Sequence, residues 1–189
     1  MKRRIGLLVF LLIAAPLASA DLFFQPATST INVGDPISID VMFSGAASPW
    51  LAGYDLFIGY NPTILHLAAV AWPDDNLGVP SLRDAIFGTG TVEVTESSLA
   101  SGAALEAAQS GNDPFRLFQL LFSGEAAPGV SPLTLDQVLL VDGNGQALDG
   151  GSARAGSVTV RGNAVPEPAG LLLLLIPWFG SIVLQRRRV

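Results

Sequence analysis

Along the middle of the chain, apolar residues fall mostly on alternate positions, and Gly, Pro, Asn and Asp punctuate the runs. Ile37, Ile39 and Val41 face one way while Ser38, Asp40 and Met42 face the other. Tyr54, Leu56, Ile58 and Tyr60 likewise share one face. A period of two marks a strand with one side in a core. The pattern predicts nine strands: Leu22–Gln25, Ser29–Val33, Ile37–Phe43, Ala52–Tyr60, Ile64–Val70, Thr91–Thr95, Phe115–Ser123, Leu133–Val141 and Ser157–Val160. Many short strands between turn residues predict an all-β sandwich or jelly roll. Phe115–Phe122 is apolar on both faces and is expected to be central and covered. Ser81–Phe87 is expected to be a helical turn with Ser81 as N-cap. The alanine-rich stretch Leu99–Ser110 is read as a short helix or a loose loop, and Gly151–Gly156 as a loop.

Both ends break this pattern. Lys2, Arg3 and Arg4 precede the apolar run Ile5–Ala15, and Ala18-Ser19-Ala20 is a small-residue cleavage site, so residues 1–20 read as a secretory signal peptide with Asp21 as the mature start. At the other end, Val165-Pro166-Glu167-Pro168 is followed by an apolar stretch, Ala169–Leu184, and then by Arg186, Arg187 and Arg188. Its sixteen residues make a helix of roughly 24 Å, against a hydrocarbon core of about 30 Å. Pro177 also interrupts the stretch. It spans if the arginines snorkel and the bilayer thins, and those arginines then lie in the cytoplasm. The chain thus divides into 1–20, a domain over 21–162, and a tail over 163–189.

The tail, with its motif, transmembrane helix and arginine cluster in that order, resembles a PEP-CTERM sorting signal. Such signals occur in Gram-negative bacteria that make extracellular polysaccharide. The resemblance implies an exosortase, a membrane cysteine protease, acting near Pro-Glu-Pro after transient anchoring in the inner membrane. The destination would be the cell envelope, outer surface or extracellular matrix. A permanent C-terminal anchor with a proline-containing stalk is the other reading.

Trimming both ends changes the charge. Residues 21–168 hold all 16 acidic residues but only Arg83, Arg116, Arg154 and Arg161, a net charge near −12 where the whole chain has −6. A domain this acidic does not hold nucleic acid or anionic lipid by its field. The absence of cysteine excludes disulfides, a Cys nucleophile and thiolate metal sites. A single histidine, His66, excludes a multi-His zinc site.

Over residues 22–160 a second likeness emerges. Val33-Gly-Asp-Pro-Ile-Ser-Ile-Asp-Val41 is followed by Leu51–Leu65, in which Tyr54, Leu56, Tyr60, Asn61, Pro62 and Leu65 stand out. Phe118–Phe122, Leu133–Leu135, Val141–Gly145 and Gly156–Val160 follow in order. The series is similar to cohesin domains, with Asn61 where Asp is usual. The likeness implies a nine-stranded jelly-roll sandwich, no catalysis and a binding role. In cellulosomal cohesins the partner is a dockerin, and a sorting tail of this kind points away from cellulosomes.

Candidate chemistry is sparse. A catalytic His66 has no Gly-x-Ser-x-Gly elbow to serve, and a strand-surface position is the simpler reading. Asp142, Asn144 and Gln146 have the 1-3-5 spacing of a calcium loop, and Asp149 follows. Ala147 and Ala153 occupy the positions where an EF-hand has Gly and Glu. Asp-Gly and Asn-Gly are equally hairpin signals, so turn and calcium site both stay open, with calcium the only cofactor in question. Asp74-Asp75-Asn76 is a second acidic loop. Trp50 and Trp72 are read either as a sugar-stacking platform or as rim packing. The expectation is a non-enzymatic exported module that binds a glycan or protein partner. The alternative is a structural matrix protein without a specific ligand.

Overall fold

Alternation places one side of each strand inward, and two sheets close on the inward sides. The computed structural model describes residues 20–45, 50–148 and 152–162. One sheet has the order β10 (Ser152–Arg154), β1 (Asp21–Gln25), β3 (Pro36–Ser44), β8 (Phe115–Gly124), β5 (Leu65–Ala71). The other runs β2 (Thr28–Asn32), β11 (Gly156–Arg161), β9 (Gly129–Asp142), β4 (Leu51–Gly59), β7 (Thr91–Ser98), β6 (Ser81–Gly88). Neighbours are antiparallel except β1/β10 and β2/β11. The first strands divide between the sheets, so the chain changes layer at Pro26-Ala27.

Ile39, Val41 and Phe43 of β3 and Phe118, Leu120 and Phe122 of β8 meet Leu56 and Ile58 of β4 and Val92 and Val94 of β7 in one core. Each such side chain contributes about 1.5–3 kcal/mol by leaving water. Phe43 lies 5.3 Å from Phe115, and Tyr60 meets Phe122 edge-on at 5.3 Å.

Eleven strands form among the described residues where nine were expected. Ser81–Gly88 is strand β6, not a helical turn: it pairs with β7 from Ser81↔Ser98 to Gly88↔Thr91 around a Thr89-Gly90 turn, with Gly90 at φ 74°. Cross-strand pairing outweighs a capping signal with no apolar helical face behind it. Ser152–Arg154, expected as loop, is the short strand β10 beside β1. The alanine-rich stretch forms helix α1 (Gly102–Gln109), with Ser101 as N-cap and Leu105 and Gln109 buried. The Gln109 amide grips β4, donating to the Leu51 carbonyl at 2.6 Å and accepting its N–H at 3.1 Å.

β8 is interior to its sheet, yet only one of its faces is covered. A bulge opposite Val41/Met42 turns both Leu117 and Phe118 inward, at 2% and 0% exposure. Arg116, Gln119 and Leu121 stay half-exposed on the outer side. The apolar run on two faces records that bulge.

Candidate interaction surface

The outer face of β6-β7-β4-β9 carries exposed apolar and acidic side chains side by side. Register fixes its rows. Leu82, Ser97, Gly53 and Val141 form one row; Asp84, Thr95, Asp55 and Leu139 form the next; Ile86, Glu93, Phe57 and Gln137 form a third. Leu82 and Ile86 are 63% and 59% exposed and Leu139 is 44% exposed. The face opens into a groove of about 570 Å³ lined by Asp55, Leu82, Asp84, Thr95, Ser97 and Leu139. Among the described residues, Asp55, Asp84 and Glu93 take part in no ion pair.

Arg83, the single basic residue of these four strands, points the other way. Its Nε donates to Glu96 Oε1 at 2.8 Å and its Nη2 pairs with Asp75 at 2.9 Å. The Tyr54 hydroxyl donates to Glu96 Oε2 at 2.9 Å and accepts from Trp72 Nε1 at 2.9 Å. Glu96 is buried at 3% exposure. Burial, with the Glu96 carboxylate adding to it, pushes the Tyr54 phenol far above its ordinary range. This inner network ties edge strand β6 to the core and fixes the direction of Leu82, Asp84 and Ile86.

A second groove, about 400 Å³, lies on the other sheet beside Asp40, Met42, Asp74, Asn76 and Arg116. Arg116 pairs there with Asp40 at 3.3 Å and Asp74 at 2.8 Å, and the Asn76 amide donates to the Arg116 carbonyl. The Asp74-Asp75-Asn76 loop is thus held by two arginines, Arg83 and Arg116.

The residues singled out in the sequence are dispersed. Tyr54, Leu56 and Leu65 are buried. Asn61 Oδ1 accepts from the Thr63 N–H at 3.0 Å and from the Thr63 hydroxyl at 2.8 Å, closing the turn that Pro62 enters. Tyr60 is half-buried beside it. His66 stands exposed on β5, with buried Leu65 and Leu67 on either side of it, and in register with Ser123. Trp72 is packed 6.5 Å from Phe118 with its indole N–H bound to Tyr54, which removes it from a sugar platform.

Asp142 accepts at Oδ1 from the N–H groups of Asn144 and Gln146, both at 2.8 Å, and the Asp142 N–H donates to the Gln146 carbonyl. The Gln146 N–H, first, and that of Asn144 hold this carboxyl below the usual carboxylate range. Loop amides thus bind the Asp142 Oδ1, and the arrangement closes a hairpin at Val141↔Ala147. Among the described residues no three His, Asp or Glu side chains gather as metal ligands.

Ala20 is buried and its carbonyl accepts from the Ser152 N–H at 2.9 Å. Asp21 opens β1, its carboxylate bound by the Ser152 hydroxyl and Arg154. Ala18, Asp149, the motif Val165–Pro168, the stretch 169–184 and Arg186–Arg188 lie outside the described residues. No helix among the described residues is long and apolar enough to cross a membrane.

No protein-family model and no curated protein matches the chain. Solved structures do. A non-cellulosomal cohesin from Archaeoglobus fulgidus superposes with a TM-score of 0.58 at 16% identity, over 81% of this chain and 96% of its own. The sandwich is cohesin-like. The seventh ScaB type I cohesin of Pseudobacteroides cellulosolvens matches this cohesin-like sandwich with a TM-score of 0.62 at 18% identity, covering 79% of this chain and 96% of that one. A chain of the OlpA cohesin–dockerin complex from Clostridium thermocellum gives 0.62 at 12% identity, over 76% and 99%. The likeness is one of fold. β6 and β10 were missed in the sequence, and the Thr89-Gly90 turn was the available signal for β6.

Proposed function

We propose that this chain is an exported, non-catalytic module whose cohesin-like sandwich binds a protein through the outer face of β6-β7-β4-β9. The observation that carries this is the exposure of Leu82, Ile86 and Leu139 together on one groove-bearing face. Large apolar side chains gathered on an otherwise acidic surface mark a site that a partner covers. A sandwich of this fold meets a protein in the Clostridium thermocellum cohesin–dockerin complex. A glycan reading is less well supported, because Trp72 is committed to the core rim.

The destination rests on the ends of the chain. Residues 1–20 direct export, and Val165-Pro-Glu-Pro168, the apolar stretch and Arg186–Arg188 address an exosortase-type protease, releasing the domain to the envelope or matrix. Intact mass spectrometry of the protein from its own cells tests this: a species still ending in Arg186–Arg188 would refute processing.

The binding reading is tested with immobilised domain and the secreted proteins of the same cells. A partner retained by the wild type and by His66→Asp, but lost with Leu82→Asp/Ile86→Asp, supports it. Retention by the Leu82→Asp/Ile86→Asp variant would overturn it.

A further inference from the structure

We infer that the protein partner meets this face with a basic, amphipathic segment. Its aliphatic side chains would cover Leu82, Ile86, Phe57 and Leu139, and its Lys or Arg side chains would lie against Asp55, Asp84 and Glu93. This rests on the reading of the face as the interface and adds the chemistry of the occupant.

The argument is one of charge complementarity. Asp84 and Asp55 flank Thr95 in one row, and Glu93 precedes Thr95 by two residues on the same outward side. Neighbouring strands lie about 4.8 Å apart and alternate residues about 7 Å, so the three carboxylates ring Thr95 within roughly 10 Å of one another. Apolar side chains border that ring: exposed Ile86 beside Glu93, half-buried Phe57 on its other side, exposed Leu139 beside Asp55, and exposed Leu82 two residues from Asp84. Among the described residues no cation stands between them, since Arg83 is turned inward to Glu96.

A purely apolar partner would strip water from three carboxylates without replacing it. An acidic partner would be repelled. A second copy meeting face to face would set these carboxylates against their own images, on a domain already near −12 over residues 21–168. Cations interleaved with aliphatic groups are what satisfies every group on the face.

The test uses isotope-labelled domain and three synthetic peptides with one leucine-bearing face: a lysine version, a glutamine version and a glutamate version. The lysine peptide is expected to shift the amides of β4, β6, β7 and β9. It should bind at least about tenfold more tightly than the glutamine peptide, and weaken about tenfold as salt rises from about 50 to 500 mM. Asp55→Asn/Asp84→Asn/Glu93→Gln should remove the lysine preference and leave glutamine-peptide binding unchanged. Equal binding of lysine and glutamine peptides on these strands would overturn the charge inference while leaving the interface standing. Shifts confined to other acidic surfaces, or self-association through this face in sedimentation, would overturn the inference too. Absence of shifts on these strands with every peptide would remove the interface itself.

Discussion

Replacing Arg83 with methionine tests the network that holds β6. The change keeps most of the aliphatic bulk and removes the guanidinium. The Glu96 side chain, 2% exposed, then has only the Tyr54 hydroxyl as partner. Stripping one member from a buried ion pair costs about 3–5 kcal/mol. The Arg83 side chain is 24% exposed, so water reaches that end of the pair, and the low end applies, about 3 kcal/mol. An effective dielectric of about 20 at about 4 Å gives the same scale, about 4 kcal/mol. With a urea slope of about 2 kcal/mol per molar, the unfolding midpoint falls by about 1.5 M. Adding Glu96→Gln removes the stranded charge and keeps an acceptor for Tyr54, so the double variant should recover about 2 kcal/mol of the loss. Urea titrations followed by tryptophan fluorescence, with unchanged slopes, measure both. A loss below about 1 kcal/mol for Arg83→Met, or a double variant no more stable than the single, would refute the reasoning.

Gly90→Ala should cost about 3 kcal/mol, because φ is 74° and a Cβ would meet Pro62 Cδ at 2.8 Å and the Tyr60 carbonyl at 2.9 Å. Gly145→Ala, at φ 76° in open space, should cost about 1 kcal/mol, and thermal melts distinguish the two. The folded-state carboxyl of Asp142 sits below its ordinary value, so its stabilisation is present above about pH 4 and fades as pH falls through the folded value. The stability gap between wild type and Asp142→Asn, from urea titrations, should therefore narrow on acidification; a constant gap would exclude the effect. Burial raises both phenols, Tyr54 and Tyr60, so the stability they confer is present below about pH 10 and lost as pH rises through their folded values. At about pH 11 the folded protein should show less tyrosinate absorbance near 295 nm than the protein in urea, and equal absorbance would exclude the effect.

Period-two alternation made most of the sandwich legible. β3 and β4 bury the side that their spacing indicates, because neither carries a charge on its inward face. β6 was not legible for the converse reason. Its inward position 83 is arginine, which breaks the apolar stripe, and the Glu96 that neutralises it stands 13 residues away on the strand after the turn. A pattern read within one segment does not see a pair made between two. β8 misled through its bulge, since one extra residue puts Leu117 and Phe118 on the same side. The candidate face was hidden for a third reason. Asp55, Asp84, Glu93 and Leu139 come from four strands, and register alone brings them into neighbouring rows.

The placement of the last described strand has a mechanical consequence. β11 lies between β2, which runs parallel to it, and β9, which runs antiparallel, with five residues paired on each side. Ladder bonds to β9 stand across the strand direction. Tension drawn along the chain from Arg161 therefore loads both ladders in shear, and the bonds must yield as a set. The domain enters at Asp21, beside Ser152, and leaves at Arg161, beside Asn32. Any pull on the tail beyond Arg161 is thus borne by β2 and β9 together.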